Sequence, residues 1–361
     1  MMKDLSKTIL ITVACCLAVF TAAKAQSEKP LSWRAAQRQD QAWYSTDEAK
    51  RIANNVLLYQ HANGGWYKNI DMASPLSKNE KEQLLEEKDK GTTIDNGATI
   101  SQLTYLGKVY RATQVEKYKT AFLEGIDYLL EAQYENGGWP QYYPIRKGYY
   151  QHITYNDNAM IGVMRLLREV GDASAPYGFV DAKRRIAAKK AIDKGLEIIL
   201  ATQVKVDGQR TIWCAQHDEV SLAPAKARAY ELPSLSGSES VNIVRYLMQF
   251  PNPSPEVVTA VESAIAWFED HKIEDTAIKK VQDASLAKGY DLKVVDQPGA
   301  SPLWARFYDL ETQQPIFVGR DGIKKSRLQD IEYERRVGYS YLGNYAGPLL
   351  EKEYPRWKEG L

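Results

Sequence analysis

The chain has 361 residues, with 47 Lys and Arg against 46 Asp and Glu and a formal charge of +1. That balance provides no global basic field to hold nucleic acid. Its 23 Tyr and 8 Trp are many for this length, a compositional hint of sugar stacking in an exported protein.

The N-terminus places Lys3 and Lys7 ahead of an apolar run from Thr8 to Ala23, then Ala23-Lys24-Ala25 as an A-x-A cleavage site before Gln26. This is the grammar of a secretory signal peptide, and its apolar core is short for a membrane span. Residues 1–25 are therefore expected to be removed, leaving residues 26–361 as one domain in the periplasm or outside the cell. Losing three Lys and one Asp turns the charge from +1 to about −1. Cys15 and Cys16 go with that segment, so Cys214 remains alone and an intramolecular disulfide is excluded. No later stretch resembles a membrane span. His61, His152, His217 and His271 are scattered without zinc-type spacing, so any metal is expected to be held by oxygen.

Helical apolar spacing runs from Asp47 to Gln60, Val115 to Gln133 and Asp181 to Gln203; Phe122, Ile126, Leu129 and Leu130 share one face. Each run ends in a Gln followed by a Gly-containing turn and a Trp. These are Asn63-Gly64-Gly65-Trp66, Asn136-Gly137-Gly138-Trp139 and, with a short insertion, Asp207-Gly208 to Trp213. The Gln-to-Gln spacings are 73 and 70 residues, a weak internal repeat. The turns read as helix C-caps with a Trp plug, with Trp66 and Trp139 as groove-lining residues the alternative.

Between those runs, further helical patterns begin near Asp95 and Asp157, so one repeat is about two helices. Another pair is expected over Glu239 to Phe250 and Pro255 to His271. The fold class is therefore mainly α, an α/α toroid or incomplete α/α barrel, with irregular loops and short strands. Val204 to Ser236 and roughly Ile273 to Glu334 do not read as helix, and long loops of this kind are usually functional.

Thr92-Thr93-Ile94-Asp95-Asn96-Gly97-Ala98 and Thr154-Tyr155-Asn156-Asp157-Asn158-Ala159 each set an Asp-Asn pair before a helical run. Each Asp alone reads as an N-cap. As a pair, Asp95, Asn96, Asp157 and Asn158 form a set of hard oxygen donors suited to calcium. Arg228 lies outside the helix-start grammar of Ser236-Gly237-Ser238-Glu239, in which Ser236 or Ser238 would be the cap. Arg306 and Arg320 stand beside aromatics in the later irregular segment. Several Arg of this kind suit a groove for carboxylated sugars, because guanidinium binds carboxylate bidentately.

Asn63-Gly64-Gly65-Trp66 with Lys68-Asn69, Thr93 to Thr99, Tyr155 to Ala159, Arg228-Ala229-Tyr230-Glu231-Leu232-Pro233-Ser234 and Trp304 to Asp309 occur in that order. Together they resemble polysaccharide lyase family 10, the pectate lyases, over nearly the whole mature chain. Trp66-Tyr67-Lys68 departs from that pattern, in which a Pro separates Trp and Lys. The resemblance implies a toroid that cleaves polygalacturonate by anti-β-elimination with Ca²⁺ held by Asp95, Asn96 and Asp157. It makes Arg228 the base, with Lys68, Arg306, Arg320 and Tyr230 as substrate-binding residues, and leaves no evident protein acid for the departing O4. An arginine base conflicts with its free pKa of roughly 12.5 to 13.8, unless neighbouring cations favour the neutral form. A monomer that binds polygalacturonate or oligogalacturonides is expected. The rivals are an α/α-barrel hydrolase using Asp95 and Asp157 as acid and base, and a non-catalytic protein that binds acidic polysaccharide.

Overall fold

A computed structural model describes residues 31–86 and 91–361; the signal-peptide reading of residues 1–25 lies outside them. The helices are α1 (Trp33–Ala36), α2 (Asp47–Leu58), α3 (Lys78–Glu86), α4 (Ile100–Thr113), α5 (Glu116–Glu131) and α6 (Ala159–Gly171). They continue as α7 (Ala182–Thr202), α8 (Glu239–Leu247), α9 (Pro255–Asp270), α10 (Tyr333–Gly338) and α11 (Tyr354–Glu359). Helices α4, α6 and α8 lie side by side, and α2, α5, α7 and α9 form a second row packed against them. The chain alternates between rows, so it is a mainly α toroid built from helical hairpins, as the periodicity indicates.

The repeated Gln and Trp explain how the hairpins lock together. Trp66, Trp139 and Trp213 are fully buried, and each indole Nε1 donates to a carbonyl of the outer helix just before it: Val56, Leu129 and Ile199, at 2.8, 2.8 and 2.7 Å. Trp304 repeats the device on Phe268 at 2.9 Å, a fourth plug hidden in the irregular segment. Gln60, Gln133 and Gln203 each donate to their own turn and to a carbonyl of the next outer helix, at Ala121, Ala191 and Ala260. A Trp plug of this kind removed to Ala costs about 3–5 kcal/mol.

Two readings of these turns are corrected. The Trp side chains do not line a groove, because they are enclosed in the core. Nor do the glycines cap helices: α2 and α5 end at Tyr59 and Ala132 in ordinary right-handed conformation. Gly64 and Gly137 have φ of +89° and +97°, and a Cβ on either would meet the carbonyl oxygen of Glu124 or Lys194 at 2.3 or 2.2 Å. Glycine is therefore required because the next outer helix passes too close for any side chain.

The Trp backbone also anchors the start of each inner helix. The Trp66, Trp139 and Trp213 carbonyls accept from the amides of Thr93, Thr154 and Ser236. Those residues lie seven, five and three positions ahead of the starts of α4, α6 and α8, so Asp95, Asp157 and Glu239 come to one end of the inner row. The long irregular stretches carry short antiparallel pairs across that end, including Ile153–Thr154 with Gln216–His217 and Leu235–Ser236 with Phe307–Tyr308. A hairpin of two seven-residue strands, Thr276–Gln282 and Tyr290–Asp296, lies beyond them.

Candidate active site

Neither Asp95 nor Asp157 caps a helix through its side chain, which corrects the N-cap reading. Asp95 sits in a short turn in which Asn96 is left-handed at φ 52°, and the caps of that turn and of α4 receive no side-chain hydrogen bond. In the second turn Asp157 and Asn158 are left-handed at φ 51° and 60°, and α6 likewise starts without a side-chain cap. At α8 the cap position is Ser238, whose side chain makes no capping bond; the Ser236 hydroxyl serves the helix start instead, accepting from the Glu239 amide at 3.2 Å and donating to the Glu239 carboxylate. Freed from capping, the two Asp side chains point to other partners. The two turns pack against each other.

Asp95 is buried and forms an ion pair with Lys68 through Oδ2. Burial alone would lower the Lys68 pKa, but the hydrogen bond and charge of Asp95 more than reverse it, so the ammonium is held above its ordinary value. The other carboxylate oxygen, Asp95 Oδ1, is buried with no hydrogen-bond partner, a costly condition unless a cation meets it. Asp157 is half exposed and faces Arg306 Nη2 at 3.5 Å; that nitrogen also donates to buried Glu239 Oε1 at 2.6 Å and reaches Asn156 Oδ1 at 3.4 Å. Burial pulls the Arg306 pKa down, and Glu239, Tyr339 and Asp157 outweigh it, leaving a firmly charged guanidinium.

Arg228 is exposed and doubly bonded to Glu231, with Nε to Oε2 at 2.6 Å and Nη2 to Oε1. That hydrogen bonding holds the guanidinium proton above its usual range, against a smaller opposing effect of burial. Glu231 is driven upward by burial and further downward by Arg228, so its net shift is downward and it stays a carboxylate. The Tyr339 hydroxyl donates to Glu231 at 3.3 Å, and the Arg306 guanidinium lies 4.7 Å from the Tyr339 ring centre. Arg228, Glu231, Tyr339, Arg306 and Asp157 are thus one continuous ladder of contacts. Tyr230 is buried, with Arg335, Arg228 and Arg320 at 3.8, 4.9 and 5.7 Å from its ring centre. It offers little free face and organises guanidinium groups instead. Arg320 is exposed and pairs with Glu334 at 3.0 Å.

The structure therefore joins Arg306 to Asp157 directly and Arg228 to Arg306 through Glu231 and Tyr339, brings the Asp95 turn against the Asp157 turn, and ties Lys68 to Asp95. Arg320 stands at the outer edge through Tyr230. Glu231 and Glu239 stand in the motifs read from the sequence without an assigned role, and Tyr339 stands in none. Glu231 belongs to no periodic pattern, and Glu239 carries a perfectly good helix-start explanation. Only the fact that each is a carboxylate three residues from Arg228 or Ser236 was visible.

Asp95, Asn96 and Asp157 fit a calcium ion by donor chemistry, because their oxygens are hard ligands and one is orphaned. Lys68 and Arg306 already occupy other oxygens of the two carboxylates. The protein thus offers few ligands, and water and an acidic substrate would have to complete the shell. Among the described residues the metal-capable cluster whose ligand atoms lie within 4.8 Å of one another is His152, Asp218 and Glu219, which includes neither Asp95 nor Asp157. Glu219 there is engaged by Gln151 at 2.6 Å and His152 at 3.0 Å, and Asp218 Oδ1 by the amides of Val220 and Ser221.

The sequence matches the family described as Pectic acid lyase over residues 60–350. Among solved structures it is similar to the family 10 polysaccharide lyase from Cellvibrio cellulosa, with 35% identity and a TM-score of 0.75, covering 91% of this chain and 95% of that one. An aspartate-to-alanine mutant of that enzyme in complex with trigalacturonic acid gives 36% identity and a TM-score of 0.76, over 90% of this chain and 95% of that one. Comparison with curated proteins found no match.

Proposed function

The chain belongs to the pectic acid lyases of polysaccharide lyase family 10 and is a pectate lyase; from that premise we propose that it cleaves polygalacturonate by calcium-assisted anti-β-elimination, with Arg228 as the base. The observation that supports this assignment is the contact ladder from Arg228 to Asp157, which keeps an exposed arginine beside the oxygen-donor turns. Its similarity to an enzyme solved with trigalacturonic acid supports an oligogalacturonide as ligand.

The reaction needs the proton on C5, which is acidic only once the adjacent carboxylate has lost its negative charge. When bound by Asp95, Asn96 and Asp157, Ca²⁺ would supply that neutralisation as a Lewis acid. Arg306 and Lys68 add fixed positive charge, and Arg320 extends it outward, so negative charge developing toward the uronate is stabilised without reorganisation. Arg228 takes the C5 proton, the C4–O4 bond breaks, and O4 is protonated by water. Glu231 aims the guanidinium but raises its proton affinity. The neutral form is scarce and correspondingly strong as a base, as a weak carbon acid demands.

The hydrolase reading loses support from the same geometry. Asp95 and Asp157 face Lys68 and Arg306, so each carboxylate is already engaged by a cation of the protein rather than left free to flank a glycosidic bond. We further propose that residues 26–361 act as one exported, monomeric catalytic domain. No helix among the described residues is long and apolar enough to cross a membrane.

Purified protein given polygalacturonate and Ca²⁺ is expected to produce the ultraviolet absorbance of a C4–C5 unsaturated uronide, and a chelator to abolish it. New reducing ends without that absorbance would overturn elimination; unchanged viscosity and binding alone would leave a binding protein. Arg228→Ala and Arg228→Lys should each lower kcat by about 10²–10⁴-fold, the usual worth of a positioned base. Near-normal turnover in either variant rejects Arg228 as the base.

A further inference from the structure

The other cations at the mouth each have a carboxylate partner within the protein: Lys68 with Asp95, Arg228 with Glu231, Arg306 with Glu239 and Asp157, and Arg320 with Glu334. Arg146 differs. Its guanidinium is exposed, lies 4.6 Å from the Tyr150 ring centre and 5.4 Å from that of Tyr142, and forms no ion pair among the described residues. An unpaired guanidinium pinned over aromatic rings keeps its donors available for an incoming carboxylate.

Arg146 also occupies a defined position relative to the chemistry. The Tyr142 ring that it covers has Lys68 Nζ at 5.8 Å, and Lys68 is the partner of Asp95. On the other side, Tyr150 packs on Tyr149 with ring centres 4.0 Å apart, and Tyr149 is within electrostatic reach of Arg228 and Glu231. The loop is held from below. Thr93, two residues before Asp95, pairs with Tyr142, and its hydroxyl donates to the Gln141 carbonyl at 2.5 Å. The Gln141 amide donates to Tyr150 at 2.9 Å, closing the loop that carries Arg146.

We propose that Arg146, supported by Tyr142 and Tyr150, is an outer uronate-binding subsite that grips a carboxylate of the polymer away from the scissile bond. This rests on the lyase reading of the adjoining mouth. An extended chain crossing the Asp95 turn passes the Tyr142 ring, and each additional galacturonate carries one carboxylate. The subsite therefore selects for chain length and for free acid over methyl ester. The buried Tyr142 ring and the half-buried Tyr150 ring hold the guanidinium in place, while Arg146 supplies the charge.

The test compares Arg146→Ala with the parent on polygalacturonate and on a series of oligogalacturonides, with polymer binding measured separately by affinity electrophoresis. Expected for Arg146→Ala is a KM on polymer raised about tenfold, the worth of one charge-assisted contact, with kcat within about twofold and no change on the shortest cleaved oligomer. Arg146→Lys should recover part of the loss, and highly methyl-esterified polymer should narrow the difference between variant and parent. An unchanged polymer KM and electrophoretic mobility overturn the subsite. An equal KM rise at every chain length also overturns it, since that is what a loosened loop would give. Absence of unsaturated product from the parent would instead sink the lyase reading, while the electrophoretic comparison would still decide whether Arg146 binds polymer.

Discussion

The Asp95 and Asp157 turns are built alike and finished differently. Each lies just after a residue tied to a Trp carbonyl, contains left-handed backbone, and leads into an inner helix. Yet Asp95 is buried with one oxygen on Lys68 and the other orphaned, whereas Asp157 is half exposed and faces a guanidinium already committed to Glu239. A shared backbone device thus delivers two carboxylates in unequal surroundings. The buried one is destabilised by its own desolvation and gains most from a cation; the exposed one is hydrated and can be removed with less effect.

Activity should separate the two first. Asp95→Ala removes the orphaned oxygen and leaves Lys68 without its counter-charge, so kcat/KM is expected to fall about 10³-fold or more, equivalent to roughly 4 kcal/mol. Asp157→Ala leaves Arg306 on Glu239 and should cost about tenfold, chiefly as a raised calcium requirement. Calcium titrations of both variants check this, with Asp95→Asn as the control that keeps side-chain shape. Equal losses would erase the distinction, and a calcium titration of Asp95→Ala matching the parent would remove Asp95 as a ligand.

Much of this arrangement can be traced to the sequence. The helical pairs follow from apolar spacing, because burial of one face imposes a 3.6-residue period. The recurrent Gln, Gly and Trp mark where pairs lock, and the Asp-Asn strings mark the mouth. What the pattern does not carry is partnership across distance. Trp304 has no preceding Gly-Gly turn, so its role as a fourth plug depends on a strand pairing with residue 343. Glu231 and Tyr339 meet over 108 residues of chain, and nothing local announces it. Arg146 sits in a loop without periodicity, and its value comes from rings brought beneath it by Thr93.

Acid should loosen one turn before the other. His217 pairs with Ile153 in the strand pair behind the Asp157 turn and meets the Tyr155 ring edge at 5.8 Å. Burial pushes its pKa from 6.5 down to about 4, so between those values the unfolded chain binds more protons than the folded one. This contribution is complete above pH 6.5, declines as pH falls, and is lost by about pH 4, amounting to roughly 3 kcal/mol. Unfolding midpoints in denaturant should drop across that window, with amide exchange rising around residues 153–158 more than around residues 93–98. His217→Gln should flatten the slope; an unchanged slope in that variant would assign the acid sensitivity elsewhere.

The smallest effect tests the backbone device itself. Asn96 is left-handed in the first turn, while the second turn places Asp157 and Asn158 in that region. Asn tolerates this conformation better than most residues because its short polar side chain bonds locally, and here the amide reaches Asn69 Oδ1 at 3.3 Å. Asn96→Ala should therefore cost about 1 kcal/mol in stability, whereas Asn96→Gly relieves the backbone and should cost less. If Asn96 is a ligand as well, the two variants should lose calcium affinity alike despite differing in stability. Glycine retaining the parent's calcium response would make Asn96 a conformational residue only, and would leave the two carboxylates as the protein's whole share of the metal site.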